Sequence, residues 1–259
     1  MRLFMIHMLK KHQFLLEELI KRDFKKKYKG TFFGMAWSVL NPLLTLMIMR
    51  VVFSHFFGGQ IGHYTIYLFC GTLVFSFFSE STSEGMLSLV GNSSIITKVN
   101  VPKYLFLLAK NSQTLLNFGV TLIVFFLFCL MDGVTFTWTF ILLLYPVFML
   151  LIFNMGMGLI LSALYVFFRD MQYLWSVLTQ LLMYLSAVFY SIDSFSVRVQ
   201  YAFLLNPVYL FIRYFRKIVL DGVIPSPGFH LLMAFYAFLV LGIGAFIYKK
   251  YNTEFLYYV

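Results

Sequence analysis

Tyr104–Met131 reads YLFLLAKNSQTLLNFGVTLIVFFLFCLM, with Lys110 as its single charged residue. At 1.5 Å of rise per residue this stretch exceeds the roughly 20 residues that cross a hydrocarbon core of about 30 Å. A helix apolar on every side must lie inside a large protein or in lipid. Blocks of the same character stand at Trp37–Phe57, Tyr64–Leu89, Trp138–Phe168, Met171–Ile192 and His230–Tyr248, which makes six expected spans. Gly58-Gly59, Gly91-Asn92 with Pro102, Asp132-Gly133 and Arg169-Asp170 punctuate the breaks between them.

Composition decides between protein interior and lipid. Of 259 residues, 61% are hydrophobic and 20% aromatic, and only 12% are charged against about 25% in a soluble domain. A compact soluble fold of this size could not cover so much apolar surface. The chain therefore reads as an all-α membrane protein with no room for a separate soluble catalytic domain. Its net charge of +10 sits at the edges of the apolar blocks, where it serves topology and headgroups rather than nucleic acid. Cys70 and Cys129 fall inside apolar segments and read as small buried hydrophobes. No short apolar region with a small-residue cleavage site follows the initiator, so the first span is expected to direct insertion.

Residues 1–31 form a separate element. Leu9, Leu16, Leu19, Ile20 and Phe24 share one helical stripe, largely opposite Lys10, Lys11, Lys21, Arg22, Lys25 and Lys29. A lysine-rich polar face opposite leucine and phenylalanine predicts an amphipathic helix on the membrane surface, the alternative being an interface for a cytoplasmic partner. Residues 32–259 then make the membrane domain. Nine Lys and Arg precede the first span, Lys98 and Lys103 lie between the second and third, Arg169 follows the fourth, and Lys249 and Lys250 follow the sixth. The first two loops of the opposite side carry none. The positive-inside rule then puts both termini in the cytoplasm.

The connection at about 193–228 breaks the pattern. Its middle, Tyr201 to Leu220, is apolar but interrupted by Asn206-Pro207 and by Arg213, Arg216 and Lys217. A continuous span would place these cations in hydrocarbon at about 2.5–3.5 kcal/mol each at mid-membrane. Two short re-entrant helices at the outer face, forming a gate or vestibule, fit better, because irregular backbone at membrane depth survives where protein covers it.

Chemistry-bearing motifs are mostly missing. No glycine is followed by lysine, so no phosphate-binding G-x-x-x-x-G-K-[ST] loop exists, and neither H-x-x-x-H nor C-x-x-C occurs. No catalytic or metal-binding residue is expected. Within the spans, Glu80 and Glu84 share one helical face and Lys110 lies at comparable depth. Three readings are open for them: an ion pair that fixes helix packing, the lining of a hydrophilic path, or proton coupling. Gly156, Gly158 and Ser162, and Gly242, Gly244 and Ala245, allow two helices to approach closely. Trp37, Tyr184, Tyr190 and Tyr209 are among the aromatics near span ends, placed for interfacial belts or for stacking on sugar rings.

Four landmarks stand in fixed order: Arg22-Asp23 with Lys27-Tyr28-Lys29-Gly30, Gly34, Trp37, Asn41 and Pro42; Lys98 to Tyr104 (KVNVPKY); Tyr165 to Asp170 ending FFRD; and Asn206-Pro207 with Tyr209 and Arg213 to Leu220. This set, spread over nearly the whole chain, resembles the membrane permease subunit of ABC transporters that export cell-surface polysaccharide, such as O-antigen, capsule and teichoic acid. Lys27, where the family often has arginine, and Arg50, inside the first span, depart from its pattern.

The resemblance implies a homodimer in the bacterial cytoplasmic membrane served by two copies of a cytoplasmic ATPase subunit, which would bind the ATP and magnesium. This chain would need no cofactor. It maps the ATPase-coupling segment onto about residues 91–103, with Asn92, Ser93, Ser94, Lys98 and Pro102, and the outer gate onto Asn206, Pro207 and neighbouring aromatics. Arg22, Lys25, Lys26, Lys27 and Lys29 would attract the anionic headgroup of a lipid-linked glycan at about 1 kcal/mol per cation. Arg169 and Asp170 would pair with the first helix or with the ATPase, or simply anchor the topology. Other readings are an ABC permease for a small molecule or drug, a secondary transporter using Glu80, Glu84 and Lys110 as an ion relay, and an intramembrane transferase with a convergent acidic cluster.

Overall fold

The computed structural model describes residues 2–59, 61–99 and 101–258. Met1, Gln60, Asn100 and Val259 lie outside the described residues, as do the side chains of residues 2–12, Tyr28 and Met35. With them go Leu9 of the expected apolar stripe, Lys10 and Lys11 of the face opposite it, and two positions of the landmark motifs. The helices are α1 (Arg2–Tyr28), α2 (Trp37–Phe57), α3 (Tyr64–Met86), α4 (Ser93–Ile96), α5 (Tyr104–Met131), α6 (Leu144–Phe167), α7 (Met171–Leu185), α8 (Val197–Phe203), α9 (Pro207–Val219), α10 (Pro227–Tyr251) and α11 (Phe255–Tyr258). No strand occurs among the described residues.

Four of these are long and apolar enough to cross a membrane: α2, α5, α6 with the 310 turn Trp138–Leu143 that leads into it, and α10. Helix α3 has the length, at 23 residues, but carries Glu80, Glu84 and a run of serines and threonines. It tolerates them because it is the hub of the fold, packed by α2, α5, α6, α7 and α9 and buried from Ile66 to Phe75 without a break. Helix α7 falls short. The apolar block Met171–Ile192 predicts a span, but the helix ends after 15 residues at Leu185, about 22 Å against a core of about 30 Å. Ala187 then turns the chain with φ of 50°, a left-handed conformation uncommon for a residue with a Cβ. Residues 187–189 and Ile192 are apolar because protein buries them, not because they are helical.

The small residues behave as expected in part. A Cβ on Gly156 would lie 2.5 Å from the backbone nitrogen of Leu241, and one on Gly244 would lie 2.7 Å from the Gly156 carbonyl oxygen, so α6 and α10 touch backbone to backbone. Ser162 Oγ and the Tyr248 hydroxyl close the same seam at 2.6 Å. Gly242 faces open space. Gly156→Ala is expected to wedge the helices apart at about 1–3 kcal/mol, as overpacking generally does, and to lower the melting temperature in detergent. Gly242→Ala should leave it unchanged. Equal behaviour of the two would show that this seam is not limiting.

Contacts between distant segments define two ends. Arg22 meets Asn92, Lys103 meets Asn252 and Arg169 meets Tyr258, so α1, the residue 90–103 segment, the α6–α7 turn and the C-terminal helix gather at one basic end. His63 and Asp132 pair at the other, at 2.7 Å.

Candidate functional site

At the basic end, α1 is fastened to the protein rather than lying free along its edge. Leu19 is buried in an apolar cluster with Leu89, Ile96 and Phe106, and one turn further Asp23 is buried as well. Arg22 donates to Asp23 Oδ1 at 2.6 and 2.9 Å and to Asn92 Oδ1 at 2.6 Å. Lys110 of α5 reaches Glu84 of α3 at 2.9 Å and Asp23 at 3.4 Å. Lys27 pairs with Glu80 at 2.5 Å, and Asn117 of α5 donates to that same Glu80 oxygen at 3.0 Å. The expected Glu84–Lys110 pair is thus present within a larger network in which α1 supplies the buried carboxylate. Of the five cations expected at headgroups, Arg22 and Lys27 turn to protein carboxylates, while Lys25, Lys26 and Lys29 are exposed.

The segment expected to dock a partner is a 310 turn, Val90–Asn92, followed by α4. Its inner side is anchored by Leu89, Asn92 and Ile96, which are buried; Asn92 also donates to the Ser88 carbonyl at 2.8 Å. Ser94, Thr97, Lys98 and Val99 are exposed, with Ser93 and Pro102 half-buried. Asn92 therefore belongs to the internal brace, not to the presented surface. Lys103 donates to the backbone and side-chain oxygens of Asn252 and sits 5.6 Å from the Phe255 ring, and burial holds its ammonium below the usual lysine pKa. Arg169 covers the Tyr165 ring at 5.3 Å and donates to the Tyr258 carbonyl at 3.2 Å; Asp170 is exposed.

Above the Lys27–Glu80 pair lies a cleft of about 340 Å³ between α2, α3 and α5. Three polar stripes converge on it: Ser38, Asn41 and Thr45 of α2; Thr72, Ser76 and Glu80 of α3; Thr114, Asn117 and Thr121 of α5. Each stripe follows the i, i+3/i+4 spacing of one helical face. Trp37 stands among the lining residues, its ring edge-on to Phe33 at 5.7 Å. Of the stripe residues the sequence singled out only Asn41 and Glu80; the stripes and their convergence were not read from it.

At the far end, the backbone after α7 is irregular, and side chains satisfy it. Asn206 Nδ2 donates to the Leu185 carbonyl at 3.2 Å, Arg216 to the carbonyls of Ala187 at 2.9 Å and Val188 at 2.8 Å, Tyr64 to that of Phe189 at 2.9 Å and Tyr67 to that of Tyr190 at 2.6 Å. Tyr190 in turn donates to the Tyr184 carbonyl at 2.8 Å. Asn206 doubles as the N-cap of α9, accepting from Val208 N at 3.0 Å, with Pro207 at the first helical position. Tyr184, Tyr190, Asn206, Pro207 and Tyr209 are therefore brought together, whereas Trp37 stands apart at the cleft. Arg216, read in the sequence as a costly cation and as part of the Arg213–Leu220 landmark, is the central donor of this brace. Arg50 is exposed.

The fold is thus an all-α bundle with four helices long and apolar enough to cross a membrane, a charge network at its basic end and a side-chain brace around Arg216 at the other. Residues 15–220 match the ABC-2 type transporter family, and the chain belongs to it. The chain is similar over nearly its full length to O-antigen export system permease proteins RfbA, at 27% identity in Klebsiella pneumoniae with 93% of each chain covered and at 25% in Myxococcus xanthus with 93% and 94% covered. It is 23% identical to the polysialic acid transport protein KpsM of Escherichia coli over 90% of this chain and 92% of that one.

Proposed function

We propose that this chain is the membrane subunit of an ATP-driven exporter that moves lipid-linked polysaccharide across the bacterial cytoplasmic membrane. The observation that carries the reading is likeness along almost the entire length to permeases named for O-antigen and polysialic acid. A separate cytoplasmic ATPase subunit supplies ATP hydrolysis, in keeping with the lack of a phosphate-binding loop in this sequence. Its docking surface is the exposed ridge Ser94, Thr97, Lys98, Val99, whose inner side is bonded through Asn92 to Arg22 of α1. A push on the ridge therefore bears on α1 and, through Asp23 and Lys110, on α3 and α5.

Six crossings follow if α3 and α7 are added to the four long apolar helices, with both termini in the cytoplasm and α8–α9 dipping in from the outside. The broken end of α7 suits this arrangement, since each of the carbonyls named above has a protein donor and needs no water. The subunit works as a homodimer with two ATPase copies. The outward faces of α2 and α7, where Val51 and Tyr173 are 78% and 73% exposed, are apolar enough to meet a second copy or lipid.

Deleting the gene for this chain is expected to deplete surface polysaccharide and to accumulate lipid-linked glycan on the cytoplasmic side, measured by surface labelling and by extraction of the lipid fraction. Unchanged surface polysaccharide in the deletion would overturn the proposal. Accumulation of a drug or small metabolite instead of glycan would favour the small-molecule permease.

A further inference from the structure

From the convergence of polar stripes we infer that the cleft between α2, α3 and α5 is a binding subsite, present in each subunit, for uncharged sugar units of the cargo. This rests on the export reading above and adds to it the place and chemistry of recognition. Three helices each turn a polar stripe to the same space, and polar side chains on membrane helices are costly unless they are paired or something polar fills the space they line.

Bonds made inside the protein explain only part of the stripes: Asn117 and Lys27 both meet Glu80, which ties α5 and α1 to α3. Thr72, Thr114 and Thr121 return their protons to carbonyls of their own helices, so these hydroxyls do not stitch one helix to the next; their oxygens remain acceptors. Ser76 is the telling position. It is the one exposed residue between Ile66 and Phe78 on the otherwise buried hub helix, and its exposure is into the cleft.

The electrostatics select the ligand. Lys27 is the only cation among the lining residues and Glu80 the only anion, and they neutralise one another at 2.5 Å. A phosphate would have to displace Glu80 from Lys27 and then lie beside it. A neutral, polyhydroxylated ring needs no such exchange: the oxygens of Thr72, Thr114 and Thr121 can accept, the Asn41 amide and Ser76 hydroxyl can donate, and Trp37 offers an apolar face for C–H surfaces. The volume, at the small end of the roughly 300–1,000 Å³ usual for ligand pockets, admits a short stretch of sugar and not a polymer. The exposed Lys25, Lys26 and Lys29 leave the anionic headgroup to the surface outside, so lipid anchor and sugar are read by different residues.

The test is photocrosslinking in living cells that make the polysaccharide, with the partner ATPase present. Benzoylphenylalanine is placed at Ser76, at Asn41 on the exposed side of the cleft, and at Val51 on the outward face of α2. Adducts are identified by mass and by sugar-specific chemistry. Sugar-bearing adducts from positions 76 and 41, with phospholipid adducts from position 51, are expected. Thr45→Val combined with the position 41 probe should lower the sugar-adduct yield about fivefold, the effect of losing one hydrogen bond. Phospholipid or protein adducts alone at the cleft positions, or none while position 51 reacts, would overturn the subsite. Deletion of the chain separates the two failures: export that depends on the chain while the cleft captures no sugar removes only the subsite, and export that does not depend on it removes the export reading too.

Discussion

Arg216→Leu is expected to lower the melting temperature of the detergent-solubilised protein by around 10 °C and to abolish export. The guanidinium is buried, 8% exposed, and no carboxylate pairs with it among the described residues. Its ligands are carbonyl oxygens, those of Ala187 and Val188 at 2.9 and 2.8 Å and that of Tyr67 at 3.4 Å, and its face lies 3.4 Å from the centroid of the Tyr67 ring. Leucine removes the buried charge, which is a gain, but strands the Ala187 and Val188 oxygens where water does not reach. A buried acceptor left without a donor costs about 1–3 kcal/mol, and the lost cation–ring contact adds to that. A net loss of about 3 kcal/mol translates into the stated shift at about 2–4 °C per kcal/mol. Arg216→Lys should rescue little, because one ammonium cannot reproduce a planar fork bonded to successive carbonyls while stacked on a ring.

The same pocket offers an internal control. Gly71 of α3 leaves room for this guanidinium: a Cβ there would lie 2.9 Å from Arg216 Nη2 and 3.0 Å from the Val188 oxygen. Gly71→Ala should therefore destabilise the wild type more than the Arg216→Leu background, in which the nearest of the three crowding atoms, the third being Val188 Cγ1 at 3.1 Å, is gone. Strict additivity of the two changes would show that they act at separate places and would remove the brace as the explanation.

How much of this could be read in the sequence depends on what kind of atom does the work. The limits of α5 coincide with the apolar block Tyr104–Met131, because lipid-facing length and helix length are the same quantity there. Asn206-Pro207 was legible as a break and is the N-cap and first residue of α9, since the backbone rules for these residues are local. The Glu84–Lys110 contact was legible because two charges at comparable depth in apolar helices have strong reason to meet. The brace around Arg216 was not, since its acceptors are backbone carbonyls, which every residue has and no motif marks. For the same reason the apolar run to Ile192 concealed the end of α7: apolarity reports burial, and here the burying medium is protein. Asp23 was visible in the Arg22-Asp23 motif, but its burial depends on α1 docking against α5, a long-range event.

Lys110→Met should detach α1 from the body of the protein. Lys110, 18% exposed in its side chain, is one of two cations holding Asp23, which is 4% exposed; the other, Arg22, divides itself between Asp23 and Asn92. Removing one partner of a buried ion pair costs about 3–5 kcal/mol because the remaining charge is stranded. The lower end applies here, since Arg22 stays in place and the Glu84 side chain, 37% exposed, is partly screened by solvent. The consequence is local before it is global. Backbone amides of residues 13–28 should exchange with deuterium faster, while those of the hub helix α3 stay protected, and, on the proposed export role, ATP hydrolysis by the partner should continue with export lost, because the strut between the proposed docking ridge and the cleft has been cut. Adding Asp23→Asn to Lys110→Met removes the stranded carboxylate and should recover most of the melting temperature, though not the coupling. If the single variant exchanges and melts like the wild type, or if the second substitution deepens the loss instead of relieving it, then the buried carboxylate is not what holds α1 in place.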